Sequence, residues 1–142
     1  MKAEEVPSGP LLVDTDAFSL LTFERGRHGD FAPLIAGHIL ALSFATIGEL
    51  RAGALIAGWG DQRQKQLEEK LRSYVAIAGT DAVATQFARL YTRFRGQVDI
   101  NDMWTAACAL AQRPALPIVT GNVRHFEPMA TEFQFVVVHP DQ

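Results

Sequence analysis

Three carboxylates in this chain follow apolar runs at points where a helix is expected to begin. Asp14 directly follows the run 11–13, Glu49 lies shortly after the run 38–44, and Asp102 falls in the first turn of an alanine-rich segment. The carboxyl ends of parallel strands meet at one edge of a sheet, so the three side chains can converge. Charges about 6 Å apart repel by roughly 2 to 3 kcal/mol per pair, a cost that a divalent cation removes. Ligands that are all oxygen suit Mg²⁺, or Mn²⁺ as a second possibility, and such ions commonly act on phosphodiesters.

Each of these acids also has a purely structural interpretation. Asp14 is placed to cap the first helix, and Glu49 is placed to complete a capping box with Thr46. Asp102 is placed to interact with the positive end of its own helix, or to form a cap together with Asp99. The repeated placement favours a shared site, and the spacing alone leaves both interpretations open.

The elements that carry these acids alternate between strand and helix. Apolar runs at 11–13 and 38–44 predict buried strands, 74–78 and 116–120 are further short apolar runs, the latter of strand length, and the alternating run 133–138 predicts a late edge strand. Helical spacing is found at 16–23, 31–35, 46–58, 61–73, 80–96 and 99–113, and a loop is expected around Pro128. The pattern predicts an α/β fold in which helices flank a central, mostly parallel, twisted sheet.

Length and composition predict one domain over residues 11–142, preceded by a flexible lead-in over residues 1–10. No apolar run has the roughly 20 residues that a membrane span needs, and the N-terminus has no hydrophobic signal region, so we expect a cytoplasmic protein without membrane contact. The formal charge of -3 argues against a protein that coats nucleic acid by bulk electrostatics. A charge of this size is compatible with an enzyme that has an acidic centre and a local basic rim. The single cysteine, Cys108, excludes an internal disulfide.

Three stretches carry a family resemblance: LLVDTDAFSLL, SFATIGELRAG and NDMWTAACALAQRPALPIVTGNVRHF. Together they resemble the PIN-domain family, and most closely the VapC-like ribonuclease toxins of bacterial toxin–antitoxin pairs. The resemblance implies a PIN-like three-layer fold. It also implies three metal ligands, Asp14, Glu49 and Asp102, and three supporting polar residues, Asp16, Thr120 and Asn122.

The same resemblance implies an Mg²⁺-dependent endoribonuclease that forms a homodimer and is inhibited by a cognate antitoxin. Many relatives carry a fourth acid at or just after the position of Asn122, where this chain has Asn122 and His125. Basic residues expected near the rim of the site are candidates for binding RNA phosphates. These candidates are Arg25, Arg27, Arg124 and His125. The polar helix 61–73 and the segment 18–23 are the expected antitoxin contacts.

Two other functions fit parts of the sequence. Asp14-Thr15-Asp16 matches the D-x-D opening of a class of phosphatases, but that mechanism needs a lysine after Thr120, and the last lysine in the chain is Lys70. The same shortage argues against a receiver domain. The other alternative is a PIN-like protein-binding module that is catalytically weak because it lacks the fourth acid.

Overall fold

Five short strands and seven helices make up the computed structural model, which describes residues 1–142. In chain order they are β1 (Leu11–Val13), α1 (Thr15–Thr22), α2 (His28–Ile35), β2 (Leu40–Ser43), α3 (Phe44–Ile56), α4 (Asp61–Leu71), β3 (Val75–Ile77), α5 (Asp81–Phe94), α6 (Ile100–Leu110), β4 (Ile118–Val119), α7 (Val123–Phe133) and β5 (Val137–Val138).

The strands form one sheet in the order β3-β2-β1-β4-β5, and every neighbouring pair is parallel. The central strand β1 pairs with β2 on one side and with β4 on the other, where Leu12 lies opposite Ala41 and Ile118. All three residues of β1 are fully buried, as a central parallel strand requires. The predicted α/β class with a parallel sheet is confirmed.

Helices cover both faces of the sheet and give the domain three layers. Leu11 and Val13 face a core formed with α1 to α4, whereas Leu12 faces a core formed with α5 to α7. This alternation follows from the two-residue period of a strand. Helix α6 is the most deeply buried helix because its run of small residues, Ala106 to Ala109, lets neighbouring elements approach closely.

The predicted loop around Pro128 is wrong, because residues 123–133 form α7 with Pro128 inside it. Proline in a helix interior removes a backbone donor, and this argued for a loop. Buried Phe126 and Met129 lie on one face of the helix and pack into the α5–α7 core, which outweighs the missing bond. The strand predicted over 133–138 is correspondingly shorter, since only Val137–Val138 pairs with β4.

Two predicted helix caps also differ. The cap of α3 is Ser43, whose hydroxyl accepts a hydrogen bond from the Thr46 backbone N–H at 3.1 Å. The predicted capping box of Thr46 and Glu49 is therefore wrong, and Glu49 lies in the second turn with its carboxylate free for other contacts. Helix α4 begins after Gly60, so the predicted cap Asp61 is instead its first residue.

Residues 1–6 contact the rest of the domain, although a flexible lead-in was predicted over residues 1–10. Residues Ala3–Glu5 form one turn of 3-10 helix, and Val6 is buried in the core beside α2. The terminal amine donates a hydrogen bond to the carbonyl oxygen of Pro140 at 2.8 Å. No helix in the structure is both long enough and apolar enough to cross a bilayer.

Candidate active site

The three predicted carboxylates lie at one edge of the sheet because each belongs to a helix that begins there. Asp14 directly follows β1 and caps α1, whereas Glu49 lies in α3, which follows β2 without a loop. Asp102 occupies the first turn of α6, whose cap is Asp99. The N-terminal ends of these helices carry a partial positive charge, which favours carboxylates nearby.

These side chains line one cleft of about 350 Å³ that has no hydrophobic residue in its lining. The lining consists of Asp14, Thr15, Asp16, Glu49, Asp99, Asp102 and His125. Five of these seven residues are site candidates predicted from the sequence: Asp14, Asp16, Glu49, Asp102 and His125. Thr15 was missed, and Asp99 was interpreted only as a cap, although its position three residues before Asp102 was the available signal.

Asp14 is the most buried acid of the cleft, with 3% of its surface exposed. Its Oδ1 accepts a hydrogen bond from the Ala17 backbone N–H at 2.7 Å, and its Oδ2 accepts one from the Thr120 hydroxyl at 2.6 Å. Burial raises the pKa of Asp14 to about 7, against the lowering effect of these two bonds, and the charges of Asp16 and Asp102 raise it further. The fold therefore keeps an acid where its ionised form is poorly solvated.

Asp102 is the second acid with a perturbed pKa. Burial raises that pKa to about 6; nearby His125 lowers it, and the charges of Asp99, Glu49 and Asp16 raise it. Two carboxyl groups of one cleft thus bind protons more readily than ordinary aspartates do in the absence of added positive charge. A bound cation would reverse this preference for both.

His125 links Asp102 to Asn122. Its Nδ1 lies 3.5 Å from Oδ2 of Asp102, and its Nε2 lies 3.0 Å from Nδ2 of Asn122. With the Asn122 amide nitrogen as donor, Nε2 accepts, and the ring proton of a neutral imidazole lies on Nδ1 facing the carboxylate. Asn122 and His125, which lie where a fourth acid is expected from the family resemblance, therefore contact the site through Asp102.

Glu49 is fixed by a hydrogen bond from the Thr15 hydroxyl to its Oε1, at 2.8 Å. As the side chains lie, no group of three or more His, Cys, Asp or Glu residues is spaced closely enough to hold a metal ion. Each of the three predicted ligands has a hydrogen-bonding or charged neighbour instead: Thr120, Thr15 or His125. The donor chemistry itself, carboxylate oxygen throughout, is that of a site for Mg²⁺ or Mn²⁺.

Among the basic candidates, only His125 lines the cleft. Arg124 is its chain neighbour and borders an adjacent surface depression together with Gln97 and Glu127. Arg27 is committed to ion pairs with Asp30 and Asp141, at 2.8 and 2.7 Å.

Arg25 lies over the ring of Phe23, with its guanidinium carbon 5.1 Å from the ring centroid. Arg25 and Arg27 both follow α1, an eight-residue helix about 12 Å long that leads away from the cleft. Neither arginine lines the cleft, and their predicted role in binding RNA phosphates stays a prediction.

A comparison with protein-family models matches the PIN domain over residues 11–127. The chain belongs to the PIN-domain family. This confirms the resemblance seen in the three sequence stretches, and the matched span contains every residue that lines the cleft of this PIN domain. No curated protein matches the chain.

Solved structures with the same fold include bacterial toxin–antitoxin proteins. The PIN domain is similar to a chain of VapBC2 from Rickettsia felis bound to a promoter DNA fragment, at 18% identity and a TM-score of 0.75, covering 91% of this chain and 97% of that one. It is also similar to VapBC-1 from nontypeable Haemophilus influenzae, at 19% identity and a TM-score of 0.72, covering 94% and 99%. For VapBC-5 from Mycobacterium tuberculosis, a member of the VapBC family of toxin-antitoxin systems, the identity is 26%, the TM-score 0.64 and the coverage 91% and 98%.

Proposed function

We propose that this PIN domain is a divalent-cation-dependent endoribonuclease and the toxin of a toxin–antitoxin pair. The observation that supports this most is the cleft itself, which gathers five carboxylates at the carboxyl edge of the sheet. Burial and mutual repulsion raise the pKa of two of them, so the arrangement is unfavourable without a compensating cation. Such concentrations of perturbed acids in a cleft are typical of functional sites.

The residues that would bind the cation are Asp14, Glu49 and Asp102, with Asp16 next to them at the rim. Side-chain rotation would be needed to bring the three ligands together, and Asp14, with both oxygens bonded, is the least free to move. A divalent cation in this cleft supplies Lewis-acid chemistry for the hydrolysis of a phosphodiester by water. Mg²⁺ suits these ligands best, and Mn²⁺ is an acceptable substitute.

The protein's own residues would orient the RNA strand. His125 lies in the cleft with 45% of its side chain exposed, and its neighbour Arg124 is exposed at the start of α7. Both are placed to bind phosphate groups that flank the scissile bond. The family resemblance of the sequence supports RNA as the substrate. The RNA sequence that is cleaved would depend on protein surfaces outside the cleft.

A cognate antitoxin is the proposed protein partner, because several solved structures of similar fold are toxin–antitoxin complexes. A groove of about 340 Å³ lies between the end of α1 and α4, lined by Phe23, Trp59 and Leu67 among others. Nearby in the chain, at the end of α3, Leu55 and Ile56 are 68% and 87% exposed. Exposed apolar surface of this kind is what a partner helix covers. We also propose that the protein forms a homodimer and is located in the cytoplasm.

A cleavage assay with purified protein tests the catalytic part of the proposal. Single-stranded RNA and DNA of the same sequence would be incubated with Mg²⁺, with Mn²⁺, or with a chelator. We expect cleavage of RNA only, abolished by the chelator and by Asp14→Asn. Cleavage that persists with chelator, or in Asp14→Asn, would show that the carboxylates are not the catalytic centre.

The same assay addresses the alternatives. A protein-binding module without activity would leave the RNA intact under every condition. A D-x-D phosphatase is disfavoured by the structure, because its mechanism needs a lysine and no lysine lines the cleft.

A further inference from the structure

Four hydroxyl side chains form a connected cluster behind Glu49. The Thr15 hydroxyl lies 2.8 Å from Oε1 of Glu49 and 3.2 Å from Oγ1 of Thr46. The Ser43 hydroxyl donates to Oγ1 of Thr46 at 3.3 Å and lies 3.3 Å from Oγ1 of Thr105. The cluster therefore joins α1, α3 and α6, the three helices that carry the acids of the cleft.

The inner members of the cluster are inaccessible to solvent. Ser43 and Thr46 are 0% exposed, and Thr105 is 2% exposed. Thr15 is only partly buried and lines the cleft, so it connects the buried hydroxyls to the surface where substrate would bind. Buried hydroxyls normally find hydrogen-bond partners, and here they find them in one another.

Thr15 has one hydroxyl proton and two acceptors for it. An ionised carboxylate is the stronger acceptor, and it is also the closer one, so the proton points to Glu49. If Glu49 turns away, Oγ1 of Thr46 remains within hydrogen-bond distance of the same hydroxyl. The hydroxyl has no capping function in its own helix, since the side chain of Asp14 caps α1.

We propose that Thr15 is a positioning residue that sets the Glu49 carboxylate at the edge of the cleft. Thr46 is the alternative acceptor that takes the Thr15 hydrogen bond when Glu49 turns to a cation. Releasing Glu49 therefore leaves no hydroxyl without a partner, which keeps the cost of the turn low. The second step of this inference rests on the cation-dependent function proposed above; the first does not.

Three variants separate positioning from simple packing. Thr15→Val keeps the branched shape and removes the hydroxyl, whereas Thr15→Ser keeps the hydroxyl and should behave like wild type. Thr92→Val is the matched control, because Thr92 is exposed on α5 and its hydroxyl donates only to the Ala88 carbonyl oxygen.

Crystal structures of the metal-free variants provide the first readout. In Thr15→Val we expect the Glu49 carboxylate to leave its position or to split between conformers, while in Thr15→Ser and Thr92→Val it stays in place. An unchanged Glu49 in Thr15→Val would overturn the proposal. This readout needs neither cation nor RNA, so it decides the positioning role even if the proposed nuclease function fails.

Titration calorimetry with Mn²⁺ alone provides the second readout. Removal of a residue that orients a metal ligand typically lowers metal affinity about 10- to 100-fold, and we expect a loss in this range for Thr15→Val. Thr15→Ser and Thr92→Val should bind like wild type. Equal affinity in Thr15→Val and wild type would contradict the inference, whereas a wild type that binds no Mn²⁺ would contradict the proposed function.

Discussion

Replacement of Asp14 by asparagine should stabilise the metal-free protein at pH 8, although it should abolish activity. The ordinary pKa of an aspartate, 3.8, applies to the unfolded chain, and burial raises the value to about 7 in the folded protein. Well below pH 3.8 both states are protonated, and the acid costs nothing. Between pH 4 and 7 the unfolded chain ionises first, so the free energy of unfolding falls as pH rises, and above pH 7 it stays low.

The size of this effect follows from the two pKa values. A factor of ten in an equilibrium constant is worth about 1.4 kcal/mol, so the change from 3.8 to about 7 corresponds to roughly 4 kcal/mol at pH 8. Asparagine avoids this cost because it carries no charge. Relaxation around the ionised acid reduces the gain, and we expect Asp14→Asn to be more stable by about 2 to 4 kcal/mol.

The asparagine amide can also satisfy the existing hydrogen bonds. Its Oδ1 can accept from the Ala17 N–H, and its Nδ2 can donate to the Thr120 hydroxyl oxygen. The Thr120 proton then turns to the Asn122 carbonyl oxygen, which lies 3.3 Å away. No buried polar group loses its partner, so the removal of charge dominates the outcome.

Urea denaturation in metal-free buffer at pH 8 and pH 4 measures the difference. The free energy of unfolding of Asp14→Asn should exceed that of the wild type at pH 8, and the two values should nearly coincide at pH 4. Asp81→Asn is the matched control: Asp81 is exposed in the first turn of α5, so its replacement should leave stability unchanged or slightly lower at pH 8. An Asp14→Asn variant that is less stable than wild type at pH 8 would refute the reasoning and make Asp14 a structural cap.

Three further predictions concern the rest of the site and the partner surface. Thr120→Val removes the donor to Asp14 and the acceptor for the Asn122 N–H. It should therefore lower the free energy of unfolding by about 1 to 3 kcal/mol in urea denaturation, whereas Thr120→Ser should not. Equal stability of the two variants would contradict this. Asn122→Asp adds a charge beside the cleft and should raise the affinity for a second divalent ion in calorimetry without RNA; unchanged affinity would argue against a role of this position in metal binding. Hydrogen exchange should slow in residues 18–23 and in α4 when the antitoxin binds, and unchanged exchange in both segments would place the antitoxin elsewhere.

The position of the site could be predicted because it depends on local patterns. A buried apolar run followed directly by an acid identifies Asp14 as the end of a parallel strand, and parallel topology then places it at the same edge as Asp102. The apolar period also predicts α3 and α6, which carry Glu49 and Asp102. These inferences need only the order of strands and helices and no distances.

The contacts within the site could not be predicted, because they depend on distances between elements that are far apart in the chain. The hydrogen bond from Thr15 to Glu49 joins residues 34 positions apart, and no sequence pattern announces it. For the same reason the sequence could not show that Arg25 and Arg27 do not line the cleft, because their position depends on the direction of α1.

Local competition explains the remaining errors. Ser43 and Thr46 are both good caps within four residues, and the end of β2 at Ser43 decides between them. Pro128 lowers helix propensity, but Phe126, Met129 and Phe133 lie three and four residues apart and form an apolar face that the core requires. Tertiary packing outweighs the local preference in α7.

The most direct test of the central claim is Mn²⁺ titration of the metal-free protein by calorimetry at pH 6 and pH 8, in buffers with different ionisation enthalpies. If the cleft carboxylates bind the ion, binding must displace the protons that Asp14 and Asp102 retain, because their pKa values are about 7 and about 6. We expect release of roughly 1.4 protons at pH 6, about 0.9 from Asp14 and about 0.5 from Asp102, and almost none at pH 8, and we expect weaker binding in Asp102→Asn. The absence of binding, equal proton release at both pH values, or undiminished affinity in Asp102→Asn would contradict the claim that these acids form a cation site.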